Sequence, residues 1–319
     1  MSRKVSHADK VLEVTHSASA AARSQIAASW RRSVLKHGLD PDERRIPERI
    51  EQSELLSRRS GLEKFLLVAA PRLDMLFSLV GQSGCAVLLT GTDGVVLDQR
   101  MSDADTPIFE SWGLCAGADW SEEREGTNGI GTCLTESRRV TIHQGEHFYA
   151  RNIGMSCIDA PIYDAEGQIL AALDVSSARS DQTEAFNRLI SAQVAHTARA
   201  IEEANFRAAF TTARIIVAES NDVEAATLLA INDNDLVVGA TRAARHAFDL
   251  PKFGPLTARP AADILGRESG PTGFERAERA AVIRALARAD GNVSQAARQL
   301  GVGRATLYRR MKRLGLDET

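Results

Sequence analysis

The sequence predicts a mixed α/β protein, an antiparallel sheet with flanking helices, followed by a separate all-α module. Two hairpin patterns predict the sheet. In each, apolar runs lie on both sides of a turn: the first turn is at 92–94 in CAVLLTGTDGVVLDQR, and the second is around 164–167 in MSCIDAPIYDAEGQILAALDVSS. Helical periodicity with basic residues at the C-terminus predicts the all-α module. A chain of 319 residues is long enough for two or three domains.

Helical patterns on both sides of the strands complete the order of elements. Ile26, Trp30 and Val34 repeat at i, i+4, i+8, and a long amphipathic pattern runs through 181–209. Four of the nine prolines lie between 251 and 271, which predicts a linker. We expect six segments: helices at 1–80, a sheet-bearing core at 81–180, a connecting and dimerisation helix at 181–209, a short strand-turn-strand segment at 210–250, a Pro/Gly linker at 251–273 and the helical module at 274–319.

Composition and charge narrow the function classes. With 44% hydrophobic and 25% charged residues, the chain has the balance of a globular protein. No apolar run approaches the ~20 residues of a membrane helix, and no secretory leader or CxxC pair is visible. We therefore expect a cytoplasmic protein without a membrane partner. The net charge of −3 is uneven, because ten basic and five acidic side chains give the last 45 residues +5 and leave −8 on the first 274.

The basic C-terminal module has the pattern of a helix-turn-helix. A helix from Glu278 to Ala289 is followed by a short helix for which Ser294 is a candidate N-cap, then by a glycine turn and a basic helix. Arginine can donate two hydrogen bonds to guanine, and Arg and Lys neutralise phosphates. Double-stranded DNA is therefore the expected partner, contacted by Ser294, Gln295, Arg304, Thr306, Tyr308, Arg309, Arg310 and Arg313.

The central stretch WSEEREGTNGIGTCLTESRRVTIHQGEHF indicates a small-molecule pocket between the two strand pairs. Its GTNGIG run lacks the third glycine of a dinucleotide fingerprint and does not follow an apolar strand, so a phosphate loop is disfavoured. Two of the three tryptophans flank it, and cysteine and histidine residues cluster nearby. We expect an effector to contact Trp112, Trp120, Thr127, Asn128, His147 and Cys157.

Other chemistries at this stretch are weaker interpretations. His143, His147 and Cys157 have the residue types of a metal site, but Gly145 interrupts the helix that this spacing needs. Redox sensing by a thiol or haem binding stays an alternative, although nothing basic adjoins Cys133 or Cys157 in sequence to lower a thiol pKa. No GxSxG or HExxH motif is present. We therefore expect no metal, no cofactor and no catalytic residues.

Two resemblances extend this interpretation. The run GNVSQAARQLGVGRATLYRRMKRLGL resembles the Fis-type helix-turn-helix of bacterial enhancer-binding regulators. Four further segments, in this order, are similar to the sensor of AcoR-like acetoin-catabolism regulators: IAASWRRSVLKHGLDP, WSEEREGTNGIGT, EHF and CIDAPIYDAEGQILAALDVSS. That resemblance covers about residues 20–205 and implies a GAF-like sensor and an effector such as acetoin, a diol or a related carbon source. Separately, the segment 210–250 looks like a truncated PAS domain. Asp159 stands where the family usually has a small residue.

Regulators of this kind usually carry an AAA+ ATPase, which this sequence does not show. No Gly-Lys dipeptide occurs, so the phosphate loop GxxxxGK[ST] is absent. We expect a homodimeric regulator that binds palindromic DNA without ATPase activity, in contact with RNA polymerase if it activates transcription. The alternatives are a redox or haem sensor on the same scaffold and a modulator that forms mixed dimers with a full-length sigma-54 activator.

Overall fold

The first part of the chain is helical, as its apolar periodicity predicts. The computed structural model describes residues 6–44, 46–179, 183–218, 226–266 and 273–316, and it places five helices before the first strand. Side-chain oxygens of Ser6, Ser17 and Ser24 accept backbone N–H groups at the starts of the first three. The helices are α1 His7–Thr15, α2 Ala18–Arg23, α3 Gln25–Leu35, α4 Gln52–Gly61 and α5 Glu63–Val80.

A five-stranded antiparallel sheet follows, and both predicted hairpins are confirmed within it. The strands are β1 Cys85–Thr90, β2 Val96–Arg100, β3 Val140–His143, β4 Ser156–Tyr163 and β5 Ile169–Ser177. They are arranged in the order β2-β1-β5-β4-β3, so the two hairpins pair through β1 and β5. Short helices connect β2 to β3: α6 Thr106–Ser111, α7 Glu122–Glu125 and α8 Gly129–Glu136.

The central strands give this sheet two buried faces with different chemistry. Apolar side chains such as Ile158, Leu173 and Val175 point towards α5 and towards the long helix α9, Glu184–Ala209. Because successive side chains of a strand point to opposite faces, the alternate residues of β4 and β5 lie on the other side. There they form a mainly polar set that is also buried: Cys157, Asp159, Asp174 and Ser176.

Helix α5 corrects the expectation that no apolar run approaches membrane-spanning length. By length and composition alone Glu63–Ser83 could cross a membrane, with a mean hydropathy of 1.3. Arg72 and Asp74 interrupt the run in the sequence and hide its apolar character. In the structure one stripe of the helix, which includes Leu73 and Leu76, is fully buried against the first sheet. This is the position of a core helix.

A second, smaller sheet follows α9. It has the order β6-β7-β8-β9, formed by β6 Arg214–Val217, β7 Leu228–Ile231, β8 Leu236–Ala240 and β9 Arg259–Pro260, with helix α10 Arg242–Ala247 after β8. The expected segment 210–250 therefore contains three of the strands, while the fourth lies within the expected linker. Residues 181–182 of the expected long helix, 219–225 of this segment and 267–272 of the linker lie outside the described residues.

The start of the expected Pro/Gly linker differs from a free connection because a buried arginine holds it. Arg245 is only 2% exposed, and its guanidinium donates to the carbonyls of Ala240, Pro251 and Gly254 at 3.0, 2.8 and 2.7 Å. Burial lowers the pKa of Arg245 from its ordinary value. Proline and glycine end helices and strands, but they leave carbonyls that a guanidinium can bind.

Residues Pro260–Thr319 form a unit distinct from Met1–Arg259. This second unit contains α11 Ala261–Ile264, α12 Phe274–Arg288, α13 Val293–Gln299 and α14 Arg304–Arg313. Its core is formed by side chains from the last three of these helices, among them Val282, Ala296, Leu307 and Met311. The unit therefore has a hydrophobic core of its own.

The packing of α5 predicts a large cost for truncating its buried stripe. Leu73 is 0% exposed, so we expect Leu73→Ala to lower the free energy of unfolding by about 2–5 kcal/mol through lost burial and a cavity. Urea unfolding followed by far-UV circular dichroism measures this change. The matched control is Leu56→Ala on α4, where the side chain is 58% exposed and the change should stay within about 0.5 kcal/mol. Equal shifts for the two variants would contradict the assigned core.

Candidate functional sites

Both tryptophans of the predicted effector site lie on the side of the first sheet opposite α5 and α9. Trp120 is buried, packs with Cys157 in one apolar cluster and donates its indole N–H to the carbonyl of Gly113 at 3.1 Å. Trp112 is half-buried against the same cluster, with its ring edge-on to Phe109 at a centroid distance of 6.1 Å. The structure therefore brings Trp112, Trp120 and Cys157 together around one apolar surface.

His147 joins this cluster through its imidazole, and its hydrogen bonds indicate the tautomer. Nδ1 lies 2.9 Å from the carbonyl oxygen of Gln144, an acceptor, so Nδ1 carries the proton. Nε2 is then free to accept from Sγ of Cys157 at 3.3 Å. Burial lowers the pKa of His147 to about 4 and raises the pKa of Cys157 well above its usual range. A neutral imidazole beside a protonated thiol is therefore expected at neutral pH.

This protonation state weighs against the thiol-sensor alternative. All four cysteines are buried thiols, and burial raises the pKa of Cys115 and Cys133 as well. A reactive thiol needs thiolate character and exposure. Within the described ranges, no group of three or more His, Cys, Asp or Glu side chains is placed to hold a metal ion.

Thr127 and Asn128, also predicted to contact an effector, are both bound to other parts of the protein. Asn128 is the N-cap of α8: its Oδ1 accepts the N–H of Gly131 at 2.8 Å, and its Nδ2 donates to the carbonyl of Gly126 at 2.9 Å. The Thr127 hydroxyl lies 2.7 Å from the Ser29 hydroxyl, and both are buried. These two residues fix the start of α8 and its contact with α3.

The glycines of the GTNGIG run are explained by close packing. A Cβ atom at Gly129 would lie 2.0 Å from Oδ2 of Asp159, and one at Gly131 would lie 2.3 Å from the backbone nitrogen of Glu122. Gly126 has φ +60°, a left-handed conformation that glycine adopts readily. The run therefore allows α8 to start directly against β4 and α7. This agrees with the sequence-based rejection of a phosphate loop.

Two buried carboxyl groups lie at this site, and the sequence analysis noted Asp159 as a departure from the family pattern but predicted neither Asp159 nor Asp174 as a site residue. Asp159 on β4 pairs in register with Asp174 on β5, and their side chains are on the same face. Burial and the neighbouring carboxyl raise the pKa of Asp159 well above its usual range, and burial raises that of Asp174 to about 7. The pair therefore holds at least one proton near neutral pH. An aspartate in each of two apolar strand patterns was the available indication.

Hydrogen bonds connect this carboxyl pair to Cys157. Ser176 Oγ lies 2.8 Å from Oδ2 of Asp174 and 3.2 Å from Sγ of Cys157. Apart from the proton that the two carboxyl groups share, no described N–H or hydroxyl group donates to either oxygen of Asp159 or to Oδ1 of Asp174. We call the group Asp159, Asp174, Ser176, Cys157 and His147 the polar cluster.

The segments that resemble the acetoin-regulator sensor contact one another directly. Arg32 of α3 forms an ion pair with Glu122, Nε to Oε1 at 2.7 Å, and a second with Glu136 at 2.9 Å. Glu122 also accepts from the Ser29 hydroxyl at 2.9 Å. Trp30 donates its indole N–H to the carbonyl of Glu146 at 2.8 Å. These contacts hold α3 against the α7–α8 segment that covers the polar cluster.

In the second unit, the cap of the short helix α13 differs from the prediction. Asn292, not Ser294, is the N-cap, and its side-chain oxygen accepts the N–H groups of Ser294 and Gln295 at 3.1 Å each. Asn is as good a cap as Ser, and Gly291 before it takes the left-handed φ of +81° that reverses the chain. Gln295 is exposed, and Ser294 is half-buried.

Helix α14 separates its predicted DNA-contacting residues into two groups. Arg310 and Arg313 form ion pairs with Glu278 of α12 and so connect the two helices. Arg304 and Arg309 are exposed, Thr306 is half-buried, and Tyr308 is 47% exposed. The guanidinium of Arg304 lies 5.6 Å from the centre of the Tyr308 ring. The first half of α14 therefore presents its basic and aromatic side chains to solvent.

Each of the two units contains a segment that matches a known protein family. Residues 273–314 match the family described as bacterial regulatory protein, Fis family. Residues 6–199, more than half of the chain, match the family described as MimR, N-terminal domain. The chain belongs to the MimR N-terminal domain family. Its MimR-type domain thus includes the first sheet, the polar cluster and the helices before them.

Proteins similar to this MimR-type chain are named as regulators of transcription or catabolism. It is 33% identical over 246 residues to the acetoin catabolism regulatory protein of Cupriavidus necator and 31% identical over 156 residues to the acetoin dehydrogenase operon transcriptional activator AcoR of Bacillus subtilis. It is 30% identical over 159 residues to the propane 2-monooxygenase operon transcriptional activator MimR of Mycolicibacterium smegmatis. The matches cover 76%, 48% and 49% of this chain, but only 36%, 25% and 26% of those proteins.

These names confirm the predicted relationship to acetoin-catabolism regulators and the Fis-type helix-turn-helix, and they belong to regulators rather than enzymes. Among solved structures, a chain in the crystal structure of the E. coli DhaR(N)-DhaL complex matches with a TM-score of 0.52. The match covers 75% of this chain and 80% of that one at 13% identity. It shows a shared fold alone.

The ion pairs of Arg32 predict that its loss destabilises the MimR-type domain. Without the guanidinium, the buried carboxylate of Glu122 loses its ionic partner, so we expect Arg32→Ala to cost about 2–3 kcal/mol, reduced by the partial exposure of Arg32. Arg32→Lys should recover only part of the lost stability, because an ammonium cannot reproduce the two parallel hydrogen bonds that Nε and Nη2 of Arg32 donate to the two carboxylate oxygens of Glu122. Chemical unfolding measures both. Arg31→Ala is the adjacent control, and an equal loss there would contradict the role of the ion pair.

The raised pKa values of the carboxyl pair predict a pH-dependent stability. A folded-state pKa above the unfolded value of ~3.9 stabilises the fold at low pH, and this contribution is lost as pH rises through about 7. His147 acts in the opposite direction, because below pH ~6.5 the unfolded imidazole binds a proton that the buried one does not. Cys157 and Cys133, which also face the pair, stay protonated in this range.

Asp174→Asn should therefore raise the melting temperature at pH 8 by several degrees and change it less at pH 5.5, since Asn cannot ionise. Thermal unfolding of wild type and variant at both pH values measures the difference. Asp233→Asn, at an exposed turn, is the control and should change neither value. A shift of Asp174→Asn that is equal at both pH values would show that its ionisation is not the cause.

Proposed function

We propose that this protein is a bacterial transcriptional regulator that senses a small molecule with its first unit and binds palindromic DNA with its second. The observation that carries the proposal is a basic Fis-type helix-turn-helix joined in one chain to a separate domain with a buried polar cluster. The antiparallel sheet between α5, α9 and the α7–α8 segment supports a GAF-like sensor. The second sheet supports a truncated PAS-like segment.

The exposed stretch of α14 from Arg304 to Arg309 is the proposed base-reading surface. In a helix-turn-helix the N-terminal residues of the second helix contact base edges in the major groove. Arg304, Thr306, Tyr308 and Arg309 are suited to this role by their position and exposure. Arg310 and Arg313 form ion pairs with Glu278, so they are better suited to hold α12 against α14 and to contact the phosphates of the DNA backbone than to read bases. Gln295 and Ser294, at the start of α13, are proposed backbone contacts.

The proposed effector is a small neutral compound such as acetoin or a related carbon source, in line with the names of two relatives. Trp112, Trp120, Cys157 and His147 line the proposed site, whereas Thr127 and Asn128 act indirectly by fixing α8. A homodimer in the cytoplasm would present two recognition helices to half-sites about 34 Å apart or a multiple of this distance. Without a phosphate loop in this sequence, regulation would proceed through polymerase contact or promoter occlusion rather than ATP hydrolysis.

The DNA-binding proposal predicts a specific loss at Arg309. We expect Arg309→Ala to weaken binding to the preferred site, identified by selection from random duplexes, by about 10-fold or more, because a base-contacting arginine is lost. Gel-shift titration measures the dissociation constant, which should also rise steeply with salt.

Arg288→Ala is the matched control for this experiment. It removes the same charge from the exposed end of α12, away from the proposed base-reading surface. It should reduce affinity less and without altering sequence preference. If the selection enriches no sequence and the protein binds no duplex at low salt, the proposed function is wrong.

A further inference from the structure

The turn of the β4–β5 hairpin contacts the start of the segment that leads to the second unit. The N–H of Gly254 donates to the carbonyl of Glu166 at 3.1 Å. The next residue of the turn, Gly167, has φ +82°, and a Cβ atom there would lie 2.7 Å from the carbonyl oxygen of Lys252. The turn and residues 252–254 are therefore in direct backbone contact, at a distance that leaves no space for a side chain at Gly167.

Arg245 on α10 fixes the same stretch of chain. Its guanidinium donates to two carbonyls of residues 251–254, at 2.8 and 2.7 Å. Burial lowers the pKa of Arg245, and the nearby carboxylates of Glu166 and Asp164 in the turn act against this. The turn therefore contributes both a backbone acceptor and negative charge to this contact. We call the contacts among the turn 164–167, Arg245 and residues 251–254 the clasp.

The residues next to the turn are also packed on the elements that follow β5. The N–H of Tyr163, at the end of β4, donates to the carboxylate of Glu202 on α9 at 2.9 Å, and the guanidinium of Arg242 lies 4.2 Å from the centre of the Tyr163 ring. Ala165 packs against an apolar cluster that includes Phe206 of α9 and residues of β7. The end of the hairpin is therefore docked and does not extend freely into solvent.

The strands that end in this turn carry the polar cluster. Cys157 and Asp159 lie on β4, and Asp174 and Ser176 lie on β5. Rigid secondary elements carry displacements between distant sites, so a shift of β4 and β5 at the polar cluster moves the turn and, through the clasp, residues 251–254. The next attachment beyond the clasp among the described residues is β9, a strand of two residues. The clasp therefore provides most of the restraint on the start of this segment.

We propose that the clasp is the connection through which the first unit controls DNA binding by the second, because it ties the start of the tether to the β4–β5 hairpin. In a dimer, the engagement of two half-sites together depends on the length and the origin of the two tethers. Release of the clasp adds residues 251–254 to the tether and removes its link to the hairpin. This inference rests on the proposed function and names the route of regulation within it.

Hydrogen exchange of the full chain, followed by mass spectrometry, tests whether the clasp holds in solution. Because proline has no N–H, the stretch 251–255 has three backbone N–H groups, and one of them is the Gly254 N–H that donates to Glu166. Gly167→Ala places a methyl group against the carbonyl of Lys252, and Arg245→Met removes the guanidinium. Each should speed exchange in this stretch by about 10-fold, since exchange follows the population of the locally open state.

Each clasp variant has a matched control. Gly94 has φ +85° in the other hairpin turn of the same sheet, and a Cβ atom there would meet the backbone of Ser121, so Gly94→Ala strains a turn without touching the clasp. His246→Ala changes an exposed neighbour of Arg245 on α10. Neither control should speed exchange in the stretch 251–255. Melting temperatures of the same preparations confirm folding, and folded clasp variants that exchange as wild type does would overturn the proposal.

Gel shifts with the same preparations test the control of DNA binding. The two probes are the preferred palindromic duplex, found by selection, and a duplex with one of its half-sites. Both clasp variants should bind the palindrome about 5-fold or more weakly, because the effective concentration of the second recognition helix falls, and should bind the single half-site within about 2-fold of wild type. An equal loss on both duplexes, or wild-type affinity for the palindrome despite faster exchange, would overturn the proposal.

The wild-type protein separates this inference from the proposed function. If wild type binds no duplex at low salt, the proposed function is wrong, even where the exchange results are as expected. If wild type binds the palindrome and the clasp variants bind it equally well, the regulator stands and the role of the clasp is wrong.

Discussion

Strands β4 and β5 have almost no solvent-facing residues, and the arrangement of the first unit follows from the need to cover both their faces. One face is apolar, and the helices α5 and α9 cover it with aliphatic side chains. The other face carries Cys157, Asp159, Asp174 and Ser176. A helix with a purely apolar stripe would leave these polar groups buried without hydrogen-bond partners, which costs free energy. This face is instead covered by α8, whose N-terminus is capped by Asn128, and by the segment that carries His147.

This constraint explains why widely separated segments resemble one family. Arg32 and Ser29 on α3 bind Glu122, and Trp30 binds the carbonyl of Glu146, so the N-terminal helices hold the cover of the polar face in position. Gly129 and the other glycines of that cover let it approach β4 closely. The similar segments therefore include contacts that build the site as well as residues that line it. Resemblance alone does not separate the two roles.

Sequence reasoning succeeded where a pattern is local and fell short where a partner is distant. The hairpins follow from turn residues between apolar runs, and the basic helix-turn-helix follows from periodicity and charge. By contrast, the raised pKa of Asp174 depends on its burial and on its position opposite Asp159 in the strand register. The conformation of residues 251–254 depends on hydrogen bonds from the guanidinium of Arg245. Thr127 and Asn128 have residue types common both in binding sites and at helix starts, and only their hydrogen bonds show the second use. The sequence likewise does not show that Arg310 and Arg313 differ in role from Arg309. The difference follows from their ion pairs with Glu278, which only the structure shows.

The buried charged groups of the first unit differ in how fully their oxygen and nitrogen atoms are paired by hydrogen bonds. Arg245 donates to three carbonyls, and Glu122 receives a guanidinium and a hydroxyl, as buried ionic groups in stable cores do. Among the described residues, the Asp159–Asp174 pair has the Ser176 hydroxyl and the proton that the two carboxyl groups share as donors for its four oxygens. A sequence under selection for stability alone could replace either carboxyl by an amide or an apolar group at this position. Departures from satisfied burial concentrate at functional sites, and in the described part of the chain the pair departs further from satisfied burial than Arg245 or Glu122 does, because it is packed directly under Gly129 with few donors around it.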